Sequence, residues 1–254
     1  MIRFVNHLNV LVFCSIQSVY AQNTIECDRP DQTETPSVVP HNHFQMETGF
    51  YYTRSSKYEK EITHPAALLK YGMKDIAELR VEIESATSVD NSEIKQNIIY
   101  GLKPLALGLK LKICEEKKWR PRTSVIVMTS IPVLASAKFR EKYPSPEVRL
   151  VFQHTISKQF SFSYNLGAFW DGDNFNTTGL YTVTVGYVMA DNWGCYLELY
   201  GFIPHRQRSS NFIDGGITFT PCHNVMIDVS AGVSIDKRQP EFWSGFGVSF
   251  RLPN

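Results

Sequence analysis

The sequence lacks a surplus of either charge. Its 26 Lys and Arg stand against 25 Asp and Glu, so there is no basic stripe for nucleic acid and no acidic tail. Cysteine is scarce. The five present (Cys14, Cys27, Cys114, Cys195 and Cys222) show no CxxC spacing and no neighbouring histidine pair, which argues against a zinc framework. Beyond the first 21 residues no run of 18 apolar residues occurs, so no transmembrane helix is expected. No segment carries a convincing helical period, and no cofactor or metal set is visible.

Residues 1–21 combine Arg3, the apolar stretch HLNVLVFCSI (7–16) and the small-residue ending VYA (19–21). This is the pattern of a secretory signal peptide, too short to span a bilayer. Acylation of Cys14 is disfavoured because Phe13 is too large for that processing site. The exported chain keeps four cysteines. An oxidising compartment permits disulfides among them, three full pairings being possible, and free thiols remain equally open.

From residue 43 the period is two. In NVMIDVSAGVSID (224–236), Val225, Ile227, Val229, Ala231, Val233 and Ile235 share one parity, while Asp228, Ser230 and Asp236 share the other. AELRVEIE (77–84) sets Ala77, Leu79, Val81 and Ile83 against Glu78, Arg80, Glu82 and Glu84. Such alternation makes strands with one oily and one polar face. Twelve segments follow it, at about 43–54, 63–73, 76–86, 102–114, 121–133, 146–157, 159–171, 177–190, 193–204, 210–220, 223–235 and 241–252. Sandwich strands average nearer five or six residues, whereas these match the length a tilted strand needs to cross a bilayer. The connections also alternate between short and long. The expected fold is therefore all-β: an antiparallel up-and-down transmembrane β-barrel of 12 strands in 43–254, with short periplasmic turns and longer extracellular loops. Aromatics on the apolar parity form two tiers, Tyr52, Trp170, Tyr181 and Phe242 at one end and Phe160, Trp193 and Phe219 at the other, as interfacial girdles do.

The polar parity then faces a lumen. It carries the acids Glu47, Glu78, Glu82, Glu84, Glu198, Asp214 and Asp228 and the bases Lys70, Arg80, Lys110, Lys112, Arg149 and Arg251. The bases fall on the second to sixth strands, and the ninth to eleventh carry only acids, so a transverse field is expected. Many inward glycines argue for open space; the balance of charge argues for a filled lumen, and twelve strands lie between the filled and open limits.

The leader, residues 22–42, contains CDRPDQTETPSVVP (27–40). Pro30, Pro36 and Pro40 keep it extended and out of any sheet, while Asp28, Arg29, Asp31 and Glu34 are placed to meet lumen charges. It is expected to start in the periplasm and to fold into the barrel mouth as a partial plug; a disordered tether is the alternative.

Several stretches resemble a known family: DRPDQTETPSVVP (28–40), FQMETGF (44–50), LLKYGMKDIAELRVE (68–82), GLKPLALGLKLKI (101–113), YNLGAFWDG (164–172), LELYGF (197–202), DGGITFTP (214–221) and GFGVSFRLP (245–253). The chain is similar to bacterial outer-membrane proteins described as transporters and grouped with the meta-pathway of phenol degradation. The resemblance implies a Gram-negative outer-membrane barrel tied to passive passage of small molecules, aromatic or apolar ones included. A closed structural or surface-interaction barrel with a salt-bridged lumen is the alternative. The implied partners are outer-membrane lipid and lipopolysaccharide (the basic loop 134–145 facing its phosphates), the barrel-insertion machinery, and a small solute. The longest outer loop, 85–100, carries no ligand signature. Some twelve-stranded barrels cleave lipid with an outward Ser–His pair. Here His154 faces outward, but its neighbours Val127, Thr129 and Phe160 include no serine and no orienting third group, so no enzyme is expected.

Overall fold

The structure, a computed structural model, describes residues 24–92, 97–236 and 241–253; the expected signal peptide lies outside them. The strands are β1 (Phe44–Arg54), β2 (Glu59–Lys74), β3 (Ala77–Asp90), β4 (Asn97–Leu102), β5 (Leu105–Cys114), β6 (Arg122–Ile131) and β7 (Pro146–Thr155). They continue as β8 (Phe160–Trp170), β9 (Thr177–Ala190), β10 (Trp193–Pro204), β11 (Ser210–Cys222), β12 (Val225–Ser234) and β13 (Phe242–Leu252). β4 and β5 are halves of one stave, since both pair in succession with β3. The result is a closed antiparallel barrel of twelve staves, sealed by β1 against β13 and by β2 against β3. Closure removes the open edges of the staves, which a spanning sheet requires; β4, paired with β3 alone among the described residues, keeps a free edge at the loop end.

Two prolines bend the wall. The β1–β2 and β2–β3 registers slip by one residue around His64–Pro65. The register of β3 likewise changes from Ser85↔Leu102 to Glu82↔Ala106 across Lys103–Pro104. Proline has no N–H for the ladder, so each occupies a one-residue bulge. Above its bulge β2 starts at Glu59 rather than near 63, and β3 runs on to Asp90. The expected long loop 85–100 is thereby corrected: most of it is the β3–β4 hairpin, with residues 93–96 outside the described ones. The long connection is instead residues 132–145, opened by a short 3-10 turn, Pro132–Leu134.

The outward face is apolar: Leu197 is 60% exposed, Leu166 53% and Val229 48%. Only lipid makes such a belt favourable, because burial of apolar surface stabilises by about 25 cal/mol per Å². Aromatic pairs mark its edges, Phe160 with Tyr187 at 4.7 Å and Trp193 with Phe219 at 4.5 Å at the end of tight turns, and Trp170 with Phe175 at 6.4 Å at the other. The four described cysteines, Cys27, Cys114, Cys195 and Cys222, are unbonded to one another. The inner side chains are the buried ones, and they are polar: Glu47, Lys70, Glu78, Arg80, Lys110, Asn165, Glu198 and Asp228 are each at most 2% exposed.

Candidate functional site: a leader-filled lumen

The leader occupies the lumen as a loop that enters and leaves through the tight-turn end. Ile25 N–H donates to the His223 carbonyl at 2.7 Å, in a turn at that end. Ile25, Cys27 and Met226 form a small apolar contact there, and Arg122 bonds Glu26 at 2.8 Å. The chain climbs to residues 31–34 and returns, with Val39 N–H donating to Glu78 at 2.8 Å and Asn42 N–H to the Gly72 carbonyl at 2.9 Å. A leader threefold interrupted by proline cannot add a strand, so its N–H groups seek side-chain acceptors instead. Asp28 and Arg29 N–H both donate to Glu47 at 2.9 Å, Gln32 N–H to Glu198 at 2.7 Å, and Glu34 N–H to Asn165 at 2.7 Å.

Asp28 is the hub. Its carboxylate accepts from Lys70 at 2.8 Å, Arg80 at 3.0 Å and Lys110 at 2.9 Å, and from the leader's own Thr35 N–H at 2.9 Å. Burial pushes the Asp28 carboxyl up, but Lys110, Lys70 and Arg80 together hold it well below its ordinary range. Glu34 takes the other arm of Arg80 at 2.9 Å. Arg29 crosses to the acidic wall, where Asp228 grips it at 2.8 and 3.2 Å and Tyr51 lies under it, 4.8 Å from guanidinium carbon to ring centroid. The leader thus sets its acid against the basic wall and its base against the acidic one. Breaking one such buried pair costs about 3–5 kcal/mol, because it strands the other charge.

The inward glycines make the room. A Cβ on Gly247 would lie 2.3 Å from the Arg29 guanidinium, one on Gly49 2.6 Å from it, and one on Gly72 2.0 Å from the Pro40 carbonyl oxygen. What glycine leaves open, the leader fills.

Of the other expected lining residues, Arg149 pairs with Glu147 at 2.7 Å and donates to the Gln32 carbonyl at 2.9 Å. Asp31 has no ion-pair partner among the described residues. Burial, Glu198 and Asp214 push its carboxyl well above the usual range, and Asp214 pairs across the β10–β11 register with Glu198. Lys112 bonds Glu115 at 2.7 Å and lines the lumen mouth at the tight-turn end. Arg251 is buried at the same mouth, its backbone N–H on the Asn224 carbonyl at 2.9 Å. His154 lies on the outer side against Tyr164, with centroids 6.2 Å apart.

Some lumen residues escaped parity counting. Lys103 counts as outward if 102–114 is one regular strand, but the Pro104 bulge turns it inward onto Glu61 at 2.8 Å and Glu84 at 3.1 Å. Aromatics also share the polar parity and turn inward: Trp243 is legible as such in the alternation of 242–252, while Tyr51, Tyr200 and Phe212 stand among residues whose type suggests lipid or core. Tyr200 stacks on Phe212 at 4.9 Å, Trp243 donates to the Tyr200 hydroxyl at 2.9 Å, and Tyr51 meets Trp243 edge-on at 6.0 Å. These line a cavity of about 400 Å³ above the leader, toward the loop end. A second cavity of about 210 Å³ sits at the opposite mouth, against Glu26, Arg122 and Arg251. Among the described residues no His, Cys, Asp and Glu group is arranged to hold a metal ion.

The fold is shared with solved barrels at low identity. An outer-membrane channel from Pseudomonas putida F1 superposes with a TM-score of 0.68 at 10% identity, covering 85% of this chain and 97% of that one. The NanC porin gives 0.58 at 11%, covering 82% and 100%. The translocator domain of the autotransporter NalP from Neisseria meningitidis gives 0.56 at 8%, covering 87% and 90%. No curated protein sequence matches the chain. The model of the family described as "Putative MetA-pathway of phenol degradation" matches residues 27–252, from the leader to the last strand, and the chain belongs to that family.

Proposed function

We infer that the protein is an outer-membrane channel for passive passage of small molecules, and that its leader is the removable obstruction. The observation that carries this is the chemistry of the filling. Wall-to-wall contacts such as Trp243 with Tyr200 exist, but at mid-lumen a separate segment, tied in through hydrogen bonds and ion pairs, takes up the space. Polar contacts exchange readily with water, so the segment can leave without unfolding the apolar-faced barrel. The signal peptide, the periplasmic position of the leader and the insertion machinery acting on the β13 end belong to this reading. So does a lipopolysaccharide contact at residues 132–145, where Lys138, Arg140 and Lys142 are exposed.

The test is planar-bilayer conductance of the refolded chain from residue 22, compared with one beginning at residue 43. A small or intermittent current that becomes large and steady on truncation is expected. No current from either form would overturn the channel reading in favour of a closed barrel acting through its loops.

A further inference from the structure

The cavity above the leader has two unlike walls. On one side Tyr200, Phe202, Phe212 and Trp243 present ring faces and edges; Tyr200 and Phe202 meet at 5.9 Å and Phe202 and Phe212 at 6.2 Å. On the other, β2 and β3 present Glu61, Glu82 and Glu84. These three carboxylates share one cation, Lys103, which bonds Glu61 and Glu84, while Glu82 has no ion-pair partner among the described residues. The leader forms the floor and adds Asp31.

The arrangement is not an acidic cluster alone. A volume of about 400 Å³ falls in the range of small-ligand pockets, about 300–1,000 Å³. The lumen also already holds a cation in the manner the walls favour: Arg29 lies over the Tyr51 ring at 4.8 Å with Asp228 closing on its nitrogens. That seat is at the edge of the same cavity and is occupied by the protein's own residue. Above it the rings and the carboxylates continue along the cavity wall. A neutral aromatic molecule satisfies the ring wall and leaves the carboxylates as they are. An aromatic anion is repelled by a wall that sets three acids against the single cation Lys103. A molecule with an aryl ring and a protonated amine satisfies both walls, by stacking on one side and by ion pairing and cation–π attraction on the other.

We propose that this cavity is a binding site for protonated aryl-alkyl amines, lying on the permeation path. Its place on a permeation path rests on the channel reading; the binding site stands without it.

The experiment uses the full exported chain in detergent and in bilayers, with phenethylamine as the cation, 2-phenylethanol as its neutral counterpart and 3-phenylpropionate as the anion. Calorimetric titration reads binding directly. Phenethylamine is expected to bind at least tenfold more tightly than either counterpart. The double variant Glu82→Gln with Glu84→Gln is expected to lose about tenfold for the amine and nothing for the alcohol. A second variant, Phe212→Leu, leaves every charge in place and is expected to weaken amine and alcohol alike, by several-fold. Equal binding of all three probes, or amine binding untouched by the glutamine pair, overturns the proposal while leaving any measured conductance intact. In bilayers, millimolar phenethylamine added from the loop side is expected to reduce current through the chain beginning at residue 22. If no form of the chain conducts, the channel reading fails, and the calorimetry still decides the site.

Discussion

Replacing Asp28 by Asn is the sharpest perturbation the lumen offers. The side chain keeps its shape and one acceptor oxygen, so the loop back to Thr35, now 2.9 Å from Thr35 N–H to the carboxylate, can persist. The negative charge facing Lys70, Arg80 and Lys110 is gone. Lys70 retains its bond to Glu47, and Arg80 retains Glu34 and Glu78 at 2.9 and 3.4 Å. Lys110 fares worst: its nearest remaining carboxylate is Glu34 at 3.5 Å. Removing one partner from a buried ion pair costs about 3–5 kcal/mol, and the surviving partners place this case near the lower bound, about 3 kcal/mol. At 1.4 kcal/mol per power of ten, the undocked leader becomes about a hundredfold more populated. Hydrogen exchange read by mass spectrometry reports that population through the leader amides bonded to the wall, those of Asp28, Arg29 and Val39. Their exchange is expected to quicken about a hundredfold while strand amides stay slow. Adding Lys110→Met, which removes the stranded charge, is expected to restore part of the protection. Leader exchange within threefold of the unaltered protein in Asp28→Asn would show that the ion-pair hub does not hold the leader, and the reasoning would fall with it.

Leader protection is also expected to peak at intermediate pH. Asp28 is held below its ordinary 3.8 by Lys110, Lys70 and Arg80 against the pull of burial, so its contribution is full above 3.8 and lost as pH falls through the docked value. Asp31 is raised above 3.8 by burial, Glu198 and Asp214, so the docked state favours its protonated form and that contribution fades as pH rises through the raised value. Single-channel recordings should show more opening at both extremes; a steady trend in one direction would refute the pairing of limbs. Gly72→Ala would set a Cβ 2.0 Å from the Pro40 oxygen and 2.4 Å from that of Val39. Because those are backbone atoms, leader docking should weaken by about 1–3 kcal/mol, visible as faster exchange at Val39 with an unchanged barrel melting point. Val229→Arg, on the outward face of β12, should cost about 2–4 kcal/mol in urea unfolding from vesicles; no cost would mean that this face does not meet lipid.

The barrel was readable in the sequence because a strand's two faces alternate without exception until a bulge intervenes. The runs Val225–Ile235 and Ala77–Glu84 show this plainly, and the structure gives both as strands with the apolar parity outward. Parity failed where proline breaks the ladder. Lys103 and the upper part of β2 could not be placed without knowing that Pro104 and Pro65 sit in bulges. Inward Tyr200 and Phe212 were overlooked for a different reason: an aromatic suggests lipid or core, and either declares itself as lumen-facing only by its parity. Which leader charge meets which wall charge was beyond reach. Asp28 is 82 residues from Lys110, and Arg29 is 199 from Asp228. Such pairings depend on where the climbing loop turns, which no local pattern encodes.

The partners of Lys110 carry one last consequence. Its ammonium group is held by Asp28, Glu34 and the Thr35 carbonyl, all belonging to the leader. Departure of the leader therefore does more than clear a path. It uncovers a positive charge at mid-lumen, shared with Lys70 and Arg80, and at the same moment bares Asp228 on the opposite wall. If the leader leaves as proposed, it acts as a departing counter-ion, and the two states differ in electrical character: one narrow and guarded by carboxylates at its loop end, the other wider, with cationic and anionic flanks. Ion preference should therefore change with gating, and a reversal potential recorded in a salt gradient should shift when the leader is removed.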